Sequence, residues 1–364
     1  MTQPSITLSH VDTPERGNHA RAIRLWLFAV AALVFVLVIV GGATRMTESG
    51  LSITEWRPAT GIIPPFSEPA WQAEFEKYQT IPQYTQRNFG MTLSAFKTIY
   101  WWEWTHRFLA RLVGVAFLLP FLFFLWRGWI GRDMAAKLAV IFGLGALQGA
   151  VGWWMVASGL SERTSVSQYR LAVHLTLASL IFAALIWAAL RIGEKREGSA
   201  SVPARLRWGG RLLLILVFFQ IYLGALVAGL RAGLSYNTWP LIDGAFIPDA
   251  ERMLFETPLW RNFFENTLTV QFNHRMMAYT LLIVAILHAI DMARNAPYGA
   301  ATQSAIVLCG AITVQALVGI FTLLTQAPID LALIHQAVAM GVLAVAVVHT
   351  VNLTPPRAPV PGRR

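Results

Sequence analysis

The chain has 364 residues, of which 55% are hydrophobic and only 13% charged. Soluble domains carry about 25% charged residues, so this composition excludes an ordinary water-soluble fold and points to lipid as the solvent. The net charge of +10 follows the sidedness of the loops, described below, and gives no reason to invoke nucleic acid.

Crossing the hydrocarbon core takes about 20 apolar residues. Runs of that kind lie near 25–43, 104–126, 134–157, 169–190, 210–230, 268–290, 302–324 and 331–351. They are continuously apolar, which argues against the alternating strands of a barrel. The fold class predicted is an all-α integral membrane protein, with eight transmembrane helices as two pseudo-symmetric four-helix bundles. A polar tail, 1–24, holds His10 and His19 and precedes the first segment. Arg45, just after that segment, does not suggest a processing site, so 25–43 reads as a retained helix.

The N-terminal bundle, 25–191, includes a long loop at 44–103. Within it Trp71, Phe75 and Tyr78 recur at three-to-four spacing and predict a surface helix. Thr92–Trp104 reads as an interfacial segment, with Trp101, Trp102 and Trp104 in the aromatic belt. A linker at 192–209 leads to the C-terminal bundle, 210–352, whose long loop is 231–267, and a tail at 353–364 closes the chain. Cys309 is the single cysteine. It falls inside the seventh segment, which leaves no intrachain disulfide and no thiolate metal site, only a small buried apolar residue.

Lys and Arg in short loops set orientation. Arg16, Arg21 and Arg24 precede the first segment; Arg127, Arg132 and Lys137 lie between the second and third. Arg191, Lys195, Arg196, Arg205, Arg207 and Arg211 lie between the fourth and fifth, and Arg357, Arg363 and Arg364 follow the eighth. The 3–4 connection has only Arg163 and Arg170, and the 7–8 connection has none. Both termini are therefore expected in the cytoplasm, with lipid as the surrounding partner and a bacterial inner membrane as the simplest location. The oligomeric state, homo-oligomer included, stays open.

An internal repeat underlies the eight segments. GGATRMTESGLSITEW ends the first and GALVAGLRAGLSYNTW ends the fifth; EWTHRFLARL opens the second and QFNHRMMAYT the sixth. The third carries LGALQGAVG and the seventh ITVQALVGI, while RLAVHLT and LALIHQA place one histidine early in the fourth and eighth. Four segments separate the copies, so the repeat is parallel, about an axis along the membrane normal.

His106, His174, His274 and His335 each occur near the start of an even-numbered segment, at similar depth toward the outer side. Ionisable groups in a membrane are costly and default to a functional reading. Two imidazoles facing each other across a four-helix bundle suit b-type heme. Zinc is less suited, because each half offers two histidines and no thiol. Arg107 and Arg275 follow two of these histidines and suit either heme propionates or interfacial snorkelling. Glu103 lies one turn before His106, where the second half has Gln271 before His274. A carboxylate in one copy alone suggests that only the first half does chemistry, although an acid at a helix start is also simply favourable. His288 and His349 each lie 14 residues beyond a repeat histidine. That offset returns to nearly the same helix face about 21 Å further on, which allows a second stacked heme, but the first half has Pro120 and Ala188 at the matching positions.

Together the GGATRMTESGLSITEWRP segment, Glu103-x-x-His106-Arg107 and Asn273-His274-Arg275 resemble the heme A synthase family of cytochrome oxidase assembly, from about residue 22 to 352. The resemblance implies conversion of heme O to heme A by oxidation of the C8 ring methyl to formyl. It implies that His106 and His174 hold the substrate heme, that Glu103 is the essential acid, and that His274 and His335 are ligands of a resident heme b. Heme O synthase and an electron-transfer partner are further implications. Some members carry a cysteine pair in the first outer loop, and this chain has none there, so it resembles the proteobacterial and mitochondrial branch. Heme O is expected to enter the first bundle laterally, with Glu103 stabilising positive charge or moving protons. The competing class is a non-enzymatic diheme b electron carrier with the same histidines. A transporter fits less well, since no segment shows a midplane break.

Overall fold

The computed structural model describes residues 14–58, 60–192 and 202–354. Expectations for the two tail ends and for linker residues 193–201 lie outside the described residues. The described chain is helical: α1 (Pro14–Met46), α2 (Glu68–Gln79), α3 (Pro82–Gln86), α4 (Leu93–Trp126), α5 (Arg132–Ala157), α6 (Gln168–Arg191), α7 (Ala204–Leu230), α8 (Ala250–Met253), α9 (Thr267–Asn295), α10 (Ala300–Leu324) and α11 (Ile329–Asn352). Among them α1, α4, α5, α6, α7, α9, α10 and α11 are long and apolar enough to cross a membrane. The chain is a multi-pass membrane protein.

Helix ends extend past the apolar runs, because hydropathy registers the lipid-facing part of a helix and not its polar continuation. α1 starts at Pro14, well inside the segment read as tail, and His19 on it stacks on Trp129 with ring centroids 3.9 Å apart. The interfacial segment 92–104 is the first three turns of α4, whose start is capped by the Thr92 hydroxyl accepting from Ala95 N. The helix expected from Trp71, Phe75 and Tyr78 is α2, and all three are buried with Phe96 and Tyr100 of α4.

α1 packs on α4 and α6, α5 on α4 and α6; in the second half α7 packs on α9 and α11, α10 on α9 and α11. Between the halves α1 meets α11, α7 meets α6, and α6 meets α11. This contact pattern maps onto itself when the halves are exchanged. In lipid, close packing and interhelical hydrogen bonds do the work that apolar transfer does in water. Accordingly α1 approaches α11 at Gly42, where a Cβ would collide with Gln336 Oε1, and Gln336 Nε2 donates to Val38 O at 2.7 Å.

At the end that carries the long loops, the halves are also joined by charge. Arg45 Nη2 donates to Ala228 O and Gly229 O at the end of α7 (3.4 and 3.3 Å). The Glu48 carboxylate pairs with Arg231, directly after α7, and with Arg87 at 3.3 Å. Partial burial works to raise the Glu48 pKa, but the hydrogen bond and charge of Arg231, with Arg87, outweigh it and hold the carboxyl below its ordinary range. A depressed carboxyl contributes stability above its unfolded pKa of about 4.3, and that contribution is lost as pH falls through the folded value. Melting of the purified protein from about pH 6 to about pH 3 should therefore show an acid-dependent loss that is smaller in Glu48→Gln. Both partners are about a third exposed, so the difference should stay below about 1 kcal/mol.

Candidate functional site

Each of the four repeat histidines is seated against a glycine of the preceding membrane helix in its half. A Cβ on Gly41 (α1) would lie 2.8 Å from His106 Cε1, and one on Gly152 (α5) 2.9 Å from His174 Cε1. In the second half the distances are 3.1 Å from Gly224 (α7) to His274 and 2.8 Å from Gly319 (α10) to His335. Real Cβ atoms essentially never come closer than 3.0 Å, so His106, His174 and His335 occupy room that only glycine leaves, and His274 sits nearly as close. His174 lies within charge–charge range of His106, and His274 of His335. Among the described residues the partners in each pair make no hydrogen bond to each other, and Nδ1 of His106 and His174 is buried with no partner.

One turn before three of these glycines stands a glutamine. Gln148 Nε2 donates to the His174 backbone carbonyl at 3.0 Å, Gln220 Nε2 to that of His274 at 3.1 Å, and Gln315 Nε2 to that of His335 at 3.0 Å. The same amides lie 3.4, 3.1 and 3.2 Å from a ring nitrogen of those histidines. All three Oε1 atoms are buried without a partner. Before Gly41 the corresponding residue is Leu37, which offers no side-chain donor or acceptor.

Glu103 is buried, 2% exposed, within a cage of donors. Oε1 accepts from Arg107 Nη2 and Nε (2.6 and 3.1 Å); Oε2 accepts from Ser52 Oγ and Ile53 N, both 2.8 Å. Gln271 holds the matching position in α9 with reversed polarity. Its Nε2 donates to Ala232 O and Tyr236 O (2.9 and 3.2 Å), while Oε1 accepts from Arg275. Both arginines also bind loop backbone: Arg107 donates to Ile53 O and Glu55 O at 2.8 and 3.0 Å, and Arg275 to Tyr236 O and Thr238 O at 2.9 and 2.8 Å. In this arrangement they act first on the protein's own loops, pinning each one over its bundle.

His288 and His349 meet at the far end of the second bundle, Nε2 to Nε2 at 2.9 Å, and are 7% and 0% exposed. Ser304 donates its hydroxyl proton to Ala301 O, so its oxygen accepts from His349 Nδ1–H at 2.9 Å, and His349 Nε2 accepts from His288. Two metal–nitrogen bonds of about 2.0–2.1 Å in line need the nitrogens about 4 Å apart. This pair is closed on itself, and the stacked second heme that the sequence spacing allowed finds no opening between these rings.

The family model described as cytochrome oxidase assembly protein, COX15-CtaA, matches residues 24–347. The chain belongs to this family. Relatives named heme A synthase include one from Bradyrhizobium diazoefficiens, 60% identical over 333 residues, 92% of either chain. Another, from Rhodopseudomonas palustris strain HaA2, is 59% identical over 342 residues, 94% of this chain and 93% of its own. A third, from Bradyrhizobium sp. ORS 278, is 58% identical over 336 residues, 92% of each.

Within this cytochrome oxidase assembly chain, the sequence expectation singled out the histidines, the arginines and Glu103, and missed the glycine seats and the glutamines. The missed signal lay in the repeat strings themselves. LGALQGAVG and ITVQALVGI share Gln148/Gln315 and Gly152/Gly319, and Gly41 and Gly224 stand equally far before the shared Gly-Leu-Ser.

Proposed function

We propose that this chain is a heme A synthase that takes heme O into its first bundle and oxidises the C8 methyl to a formyl group. The observation that carries the reading is the set of four imidazole–glycine seats, two in each half, with a caged carboxylate in the first half only. The seats suit bis-imidazole heme on three counts: the paired imidazoles make no hydrogen bond to each other, two Nδ1 atoms lack partners, and three glutamine oxygens lack donors. An imidazole bound to iron through Nε2 is protonated at Nδ1 and calls for an acceptor nearby.

In this reading His106 and His174 would hold the iron of the substrate heme, with Glu103 one helical turn before His106. Heme b, between His274 and His335, supplies one-electron redox chemistry when bound. Glu103 is held by four donor contacts and none from an acceptor. That arrangement favours a fixed negative field over a mobile proton carrier. Preorganised charge aimed at a developing cation needs no reorganisation as the methyl is oxidised. Protons released at that methyl would pass through Glu103 only if Ser52 or Arg107 let go.

The Lys and Arg bias supports cytoplasmic termini and heme sites toward the outer face of the inner membrane; lateral entry of heme O from the lipid is part of the same proposal. Heme O synthase as supplier and a membrane electron-transfer protein as acceptor are the partners proposed. Acid-solvent extraction of pigment from the purified protein tests the reading. The expected pigments are heme b together with heme O or heme A. Heme b alone, in both halves, would favour the diheme carrier.

A further inference from the structure

The four histidine seats are alike in their glycine and unlike in what stands one turn before it. Three have a glutamine whose amide ties the histidine's own backbone carbonyl and lies against its ring, at nearly constant distances. The fourth has Leu37, which has no side-chain donor or acceptor. The amide anchors the histidine's backbone carbonyl to the neighbouring helix and packs against the ring, which leaves the ring less room to turn. Among the described residues the His106 ring rests against Gly41, and its Nδ1 has no hydrogen-bond partner.

The difference does not come from a loss of repeat order at this place. Leu37 and Gln220 stand equally far before the shared Gly-Leu-Ser, as Gly41 and Gly224 do. Leucine and glutamine are close in size, so the site could hold either. The glutamine is absent from one ligand of the half that must release its product, and it is present on both ligands of the half that keeps its heme.

We infer that Gln148, Gln220 and Gln315 are positioning residues that hold three of the axial imidazoles in a fixed orientation, and that Leu37 makes His106 the releasable ligand. This rests on the heme reading of both sites. Heme in the second half is then gripped from two sides. In the first half His174 would keep its grip while His106 would be the ligand to let go as heme O enters and heme A leaves.

Carbon monoxide reads this directly, because it binds reduced iron only where an axial imidazole lets go. In the purified full-length protein the first-half heme should take up carbon monoxide and the second-half heme should not. Leu37→Gln should slow uptake, and slow transfer of that heme to added apomyoglobin, by about three- to tenfold, the net worth of one hydrogen bond. Gln220→Leu should make the second-half heme carbon-monoxide reactive, and being a polar-to-apolar change inside a membrane helix it also serves if Leu37→Gln folds poorly. Unchanged rates in both variants overturn the inference. Full heme content in His106→Ala and in His274→Ala would sink the underlying site reading as well. Reduced heme in those two, with unchanged rates in Leu37→Gln and Gln220→Leu, overturns only the inference.

Discussion

Cells whose only copy of this protein carries Glu103→Ala should accumulate heme O, with heme A formation down about 10²–10³-fold, the cost typical of removing one preorganised electrostatic group. The variant should still purify with heme in both halves, since no histidine seat includes Glu103. It should also melt earlier. Arg107 loses its ion pair, and the Ser52 hydroxyl and Ile53 N–H lose their acceptor, at about 1–3 kcal/mol for each donor left unsatisfied in the interior. Glu103→Gln is not a gentler test. An amide has one oxygen for four donor contacts, and Gln271 is tolerated only because its loop presents carbonyls where the first loop presents an N–H and a hydroxyl. The measurements are the heme O to heme A ratio in membranes and heme per purified chain. Normal heme A in Glu103→Ala would remove this residue from the chemistry.

Gly152→Ala and Gly319→Ala are expected to separate helix stability from heme binding. In a helix interior alanine is favoured over glycine by about 0.5–1 kcal/mol, so neither change should weaken α5 or α10. The new Cβ, however, would sit 2.9 Å from His174 Cε1 or 2.8 Å from His335 Cε1. The ring must turn away, and the iron it would hold loses one axial nitrogen. Each variant should therefore lose about half of the low-spin heme absorbance, Gly152→Ala from the substrate side and Gly319→Ala from the heme b side, while melting no earlier than the parent apoprotein. Two full low-spin hemes in either variant would show that the glycine seat is not needed for ligation.

The eight membrane helices were legible because lipid demands long apolar runs, and the run centres agree with the helices. Their polar extensions were not, since nothing in hydropathy distinguishes a helix that continues past the membrane from a tail: Pro14–Arg24 and Leu93–Trp104 are two instances. The histidines were legible as costly groups at repeated positions. The glycines opposite them looked like ordinary small residues of membrane helices, and the glutamines like isolated polar insertions; only a partner's position turns either into part of a site. The work of Arg107 and Arg275 was hidden for another reason. Their targets are backbone carbonyls of the loops, and every residue has a carbonyl. His288 and His349 show the converse, a spacing that looked like a ligand pair and is a hydrogen bond.

Gly41 and Gly42 are neighbours on one helix and look in different directions, the first onto His106 and the second onto Gln336, which follows His335. A stretch of α1 with no side chain thus serves both halves at once. The halves are therefore not separable cassettes. A chimera that takes its first half from a relative must bring along an eighth helix shaped for the same bare backbone, and a half expressed alone would leave that strip of α1 uncovered.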